Sequence, residues 1–182
     1  MPVAPEAPPV AGPVLRGLRF LGAKLQAAPR PVFAGLAVGW FAWIAHLSSG
    51  PIEFDASLPF GSFLTNLAHA PLFGLAAVWL CGALARRSAP FPWPRVSLRS
   101  GLAVVALIAL YGIVDEWHQS GVPERSGCWL DALTDTTAAV CVVWTVHFTG
   151  QPQRAEGSAR LGLLVCVLAC LLAAGAATAF CA

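Results

Sequence analysis

Five apolar stretches, at about 32–47, 63–84, 101–117, 129–148 and 161–180, constrain this chain more than anything else in it. A helix needs about 20 apolar residues to cross the ~30 Å hydrocarbon layer of a bilayer, and several of these stretches exceed what a soluble core uses. At 57% hydrophobic and 11% charged over 182 residues, the chain has material for one membrane domain and none for a sizeable soluble one. The expected fold is therefore all-α, a polytopic transmembrane bundle of about five spans. The first and third stretches are short for that layer at a rise of ~1.5 Å per residue, which suits helices packed against longer neighbours.

The basic residues orient the bundle. Arg16, Arg19, Lys24 and Arg30 precede the first stretch, Arg86, Arg87, Arg95 and Arg99 lie between the second and third, and Arg154 and Arg160 between the fourth and fifth. Arg125 alone falls on the other side. Lys and Arg accumulate on the cytoplasmic side of membrane proteins, so this asymmetry predicts a cytoplasmic N-terminus and an outer C-terminus. It also agrees with five spans, since removing one would scramble the sides. Residues 1–31 read as a cytoplasmic tail. Its Pro- and Ala-rich start leads into a segment with Leu15, Leu18, Leu21 and Leu25 on one helical face, fit to lie on an anionic membrane surface. A cleaved signal peptide is not expected. The basic residues are too dispersed to suggest nucleic acid.

Within this apolar frame stands a run of ionisable residues from Asp115 to Asp135. It holds Asp115, Glu116, Glu124, Asp131 and Asp135, five of the nine carboxylates in the chain, with His118, Gln119 and Arg125 among them. Charge in or beside a membrane span is costly unless paired or wet, so such residues mark a functional site by default. Asp115 shares a helical face with His118 and Gln119, and Asp131 with Asp135. The predicted topology brings these, with Asn66 and His69 of the second span, to one depth at the outer side. His69, Gln119 and Asp131 are expected to converge in one pocket there, with Arg125 covering it. Pro71, next to His69, removes one helical hydrogen bond at a place where membrane helices often kink.

Asp115, Glu116, Gln119, Pro123, Arg125 and Asp131 fit the pattern D-E-x-x-Q-x-x-x-P-x-R-x-x-x-x-x-D, and in this the chain resembles the VanZ-like family of integral membrane proteins. His69 followed by Phe73 and Gly74, and the pair Ser48-Ser49, are also similar to that family's sequences. The resemblance covers roughly 32–148, a four-helix domain, and leaves 149–182 as an additional transmembrane helix. The chain departs from the family pattern at Thr65-Asn66, where Asp-Lys is frequent, at Asp135, where Asn is common, and at Ala138, where Gly is usual. The resemblance implies an envelope protein of the bacterial cytoplasmic membrane and, through the protein that gives the family its name, a link to glycopeptide resistance. Lipid-linked cell-wall precursors or a glycopeptide then join the membrane lipids as expected partners.

Three readings of the polar cluster compete. In the first it is structural, with Arg125 pairing Asp115 or Asp131 and with Gln119 and Asn66 bridging helices. In the second it binds or transports an anionic headgroup or an antibiotic, through His69, Gln119, Arg125, Asp131 and Asp135, with Arg125 as the anion contact. In the third it is an enzyme, with Asp115, Glu116, His118 and Asp131 available as general acids and bases. No Ser or Cys stands beside a His in a nucleophile motif. His69, His118 and Asp115 are usable metal ligands, but no paired-ligand spacing is present, so no metal or other cofactor is expected.

The remaining signals are weaker. His46 and His147 read as interfacial anchors, the seven Trp as an aromatic belt, and Gly35 with Gly39 as a small-residue helix contact. Cys81, Cys141, Cys166 and Cys170 fall within spans, as small packing groups. Cys128 and Cys181 both fall on the predicted outer face. There they are either a disulfide, if their Cα atoms approach within about 7 Å, or two separate thiols.

Overall fold

The computed structural model describes residues 11–50, 60–84, 96–123, 125, 127–151 and 154–181. The expected tail at 1–10 lies outside these residues, as do Arg86, Arg87, Arg95 and Trp93. The described residues are all-helical: α1 (Pro13–Ala27), α2 (Arg30–Ser48), α3 (Gly61–Leu84), α4 (Leu98–Gln119), α5 (Trp129–Thr149) and α6 (Glu156–Cys181). Helices α2 to α6 coincide with the five apolar stretches, extended by up to five residues at their ends. Four of them, α2, α3, α4 and α6, are long and apolar enough to cross a membrane. The protein is a membrane-embedded helical bundle.

Helix α5 is not among those four, for a reason visible in its packing. It is 21 residues long but carries Asp131, Thr134, Asp135 and Thr149, all buried. It packs against α3, α4 and α6, and α1 touches it too. Its polar side chains therefore face protein rather than lipid, which lets a helix with two aspartates occupy the middle of an apolar bundle.

The core joins α2, α3, α4 and α5. Ile44, Phe73, Ala77, Val104, Ile108 and Ala139 are buried together, with Trp40, Phe41 and Tyr111 packed against them. Small residues at the α3–α5 contact bring the backbones close, as in membrane helix pairs generally. Pro71 sits within α3, and beside it the Trp40 indole of α2 donates to the Leu72 carbonyl at 2.8 Å. The Tyr111 hydroxyl donates to the Phe41 carbonyl at 2.6 Å, tying α4 to α2, and Asn66 donates to Thr178 at 3.1 Å, tying α3 to α6. Asn66 thus bridges helices, as expected from the sequence.

Helix α1 begins with Pro at its first position, where the missing N–H costs nothing. It docks onto the bundle. Leu15 is buried against Phe148 and Ala159. The Glu156 carboxylate, at the start of α6, accepts from the backbone N–H groups of Val14 and Leu15, both at 3.1 Å. Arg19 returns the arrangement by donating to the carbonyls of Thr149 and Gln151 at the end of α5. Phe20 and Leu21 stay exposed. Gly35 and Gly39 do not form the expected close contact among the described residues: a methyl group added at either would meet none of them within 4 Å. Trp43, Trp117 and Trp129 are exposed near the ends of α2, α4 and α5.

Candidate functional site

One end of the bundle holds the end of α2, the first half of α3, the end of α4, the start of α5 and the end of α6. Cys128, the residue before α5, and Cys181, which closes α6, are joined there by a disulfide with Cα atoms 5.8 Å apart. The pairing that sequence left open against two free thiols is thus present. The backbone N–H of Cys128 donates to Glu116 Oε2 at 2.6 Å, so the cross-linked residue also fixes a carboxylate of α4.

The acidic side chains of α4 and α5 turn inward. Asp115, Glu116, Gln119, Asp131 and Asp135 are all buried, Asp135 completely. His69 of α3 meets Asp135 with Nδ1 3.0 Å from Oδ1. Its ring stacks nearly parallel to Phe73, with centroids 5.8 Å apart. Gln119 donates to Asp115 Oδ2 at 2.7 Å and more weakly to Glu116 Oε1 at 3.5 Å. A ring nitrogen of His69, an oxygen of Glu116 and an oxygen of Asp131 lie within 4.8 Å of one another. Three helices thus converge on one point, and sequence reasoning placed two of its three donors, His69 and Asp131, in a shared pocket.

Other placements differ from the expectation. Gln119 bonds within its own helix rather than bridging to another. Arg125 pairs with none of the buried carboxylates. Its guanidinium donates to the Ser48 carbonyl at 2.9 Å and the Leu47 carbonyl at 3.5 Å. The end of a helix presents unsatisfied carbonyls with partial negative charge, and here these are the arginine's partners in place of an acid. Burial draws the Arg125 pKa below its ordinary value, while Asp115 and Glu116 act to raise it; a guanidinium stays charged regardless. His118 is exposed and sits 3.1 Å from the Ser49 hydroxyl, apart from His69.

His118 does share an opening with Asp115. An open cavity of about 570 Å³ lies between α2 and α4, lined by Ala45, Ser49, Tyr111, Asp115, Trp117 and His118 among others. Its walls are largely apolar, with polar groups at the helix ends. His46 packs against Trp43 with the rings tilted and their centroids 5.6 Å apart. His147 lies at the opposite end of the bundle, near the Val96 carbonyl and Gln151.

Three features of the site went unread in the sequence. Thr134 is fully buried between the two aspartates of α5. Gly112 of α4 gives Asp135 its room, since a Cβ there would stand 2.6 Å from Asp135 Oδ2. And Asp131 Oδ1, Thr134 Oγ1 and Asp135 Oδ2 are buried without a hydrogen-bond partner among the described residues. Thr134 is one helical turn from Asp131, a spacing that alone could have drawn attention to it. No family model, curated protein or solved structure matches the chain.

Proposed function

We propose that this is a VanZ-like protein of the bacterial cytoplasmic membrane that binds a lipid-linked envelope component at an outer-face polar site. In this reading α2 to α6 are five spans, with the N-terminus inside and α6 ending outside. The charge asymmetry of the basic residues supports that orientation. The Cys128–Cys181 bond supports it too, because disulfides persist on the oxidising side of such a membrane.

The observation that carries the binding reading is the open cavity between α2 and α4. Apolar walls formed by Ala45, Val114 and Trp117 suit a lipid chain, while Ser49, Tyr111, Asp115 and His118 offer hydrogen bonds to a polar head. Asp115 is an acceptor in its charged form, so a head rich in hydroxyl or amine donors fits better than an anion. Arg125 is engaged with the end of α2, which weighs against its service as an anion contact. Resistance to a glycopeptide would follow if the bound component were one that the antibiotic recognises.

A second reading, acid–base catalysis on such a component, draws on the His69–Asp135 pair and the neighbouring Glu116 and Asp131. The test for both is an unbiased profile of lipids and cell-wall precursors in cells carrying the intact protein or a variant, Asp115→Asn for binding and Asp135→Asn for catalysis, together with the lipids that co-purify with each. A species enriched on the intact protein and lost in the variant, with cellular ratios unchanged, supports binding. A changed product ratio supports catalysis. Identical profiles and identical co-purified lipids overturn both.

A further inference from the structure

We propose that His69, Glu116 and Asp131 form a site for one divalent transition-metal ion of the Zn²⁺ or Mn²⁺ type, deep in the same end of the bundle. The proposal stands on geometry that the cavity reading does not use. Each of the three comes from a different helix, and their donor atoms lie within 4.8 Å of one another. Donors set tetrahedrally around one ion, at ~2.0–2.2 Å from it, are about 3.3–3.6 Å apart, so binding requires the three side chains to close by roughly 1 Å.

An independent observation points to a missing cation. Asp131 is more than nine-tenths buried, and its Oδ1 has no hydrogen-bond partner among the described residues. Asp135 Oδ2 and Thr134 Oγ1 are in the same condition one turn further along α5. Buried polar atoms are nearly always satisfied in native proteins, and each exception calls for a cause such as an ion. Charge gives the same answer. Asp115, Glu116, Asp131 and Asp135 are buried together; His69 pairs with Asp135 alone, and Arg125, the basic side chain nearest in sequence, ion-pairs none of them. Carboxylates in a low-dielectric interior need a compensating cation, and a divalent ion supplies two charges at the point where three donors meet.

The donor set selects the ion. One imidazole and two carboxylates suit zinc, manganese or ferrous iron, whereas calcium takes six to eight oxygens. The surroundings resemble those of ligands in metal sites. His69 is held at Nδ1 by Asp135, the carboxylate–histidine arrangement that fixes ring orientation and raises basicity. Glu116 is held by the Cys128 backbone N–H. Three protein donors leave coordination positions open for water or for a ligand.

The test uses the full chain in detergent with its disulfide intact. The protein is stripped with a chelator, reloaded with ZnCl₂ or MnCl₂, passed through gel filtration and assayed for metal by mass spectrometry. Intact protein should retain about one equivalent and melt at a higher temperature when loaded. Asp131→Asn should lower metal affinity by tenfold or more, and Asp135→Asn by about ten- to a hundredfold through His69. If Asp131→Asn does not fold, Glu116→Gln serves in its place. Asp115→Asn should keep the metal while losing co-purified lipid, so failure here and failure of the binding reading are separable. Intact protein that retains neither ion and melts identically with and without them overturns the proposal. So does a folded ligand variant that holds as much metal as the intact chain.

Discussion

At the scale of single residues, burial turns small changes into large ones. Asp135 is fully buried between His69 on one side and the Cα of Gly112 on the other. Gly112→Ala should push the carboxylate off His69 and cost about 1–3 kcal/mol, as overpacking does; the readout is the melting temperature in detergent. Arg125 invites the opposite expectation from the one its motif suggests. Because it meets carbonyls at the end of α2 rather than a buried acid, Arg125→Ala should leave no stranded charge. Its cost should be about 1.5–3 kcal/mol, the range of a hydrogen bond made by a charged group, not the ~3–5 kcal/mol of a broken buried pair. Thermal denaturation of Arg125→Ala decides between them, and a loss at the higher figure would mean that the arginine neutralises the cluster after all. The acids themselves were legible from sequence because polar groups stand out in an apolar chain. Arg125's actual partner was not, because a helix end attracts a cation through backbone groups that any residues would supply.

Among the elements, α5 and α1 show what pattern reading reaches and where it stops. The helices themselves follow from runs of apolar residues, and their boundaries fall within a few residues of expectation. The central position of α5 is also consistent with its sequence, since a helix bearing two aspartates and several threonines must find polar company inside the bundle. The docking of α1 had no such signal. It depends on Glu156 meeting the first N–H groups of a helix more than 140 residues away, a contact that no local spacing encodes. Glu156→Gln should loosen that end, with the amides of Val14 and Leu15 exchanging faster in hydrogen-exchange mass spectrometry while those of α3 are unchanged. Equal exchange in both chains would show that Leu15 packing alone holds α1. Beside Pro71 in α3, Trp40→Phe removes the donor to the Leu72 carbonyl and should cost about 1 kcal/mol in the same melting assay.

Over the whole molecule, the charge asymmetry and the placement of cysteines bear on the same question of orientation. An impermeant maleimide applied to intact cells should label Cys128 and Cys181 only after reduction, if that end of the bundle faces outward. Labelling that stays absent after reduction would place the disulfide end inside. The convergence of His69, Glu116 and Asp131 illustrates why sequence showed no metal signal: ligands drawn from three helices have no characteristic spacing along the chain. What sequence did supply was depth, by ordering the polar residues along each span, and depth is half of the coordinate needed to find a site. The other half is rotation about each helix axis, which packing sets.

The Cys128–Cys181 bond also changes the connectivity of the molecule. It joins residues 53 apart, so α5, α6 and the segment between them form a closed covalent ring. A single cut between α5 and α6 would open that ring without releasing either helix. The nicked chain should migrate as one species without reductant and as two with it. Because Cys128 holds Glu116 through its own backbone, the ring keeps the α5 wall of the site in register even when the hairpin that made it has been severed.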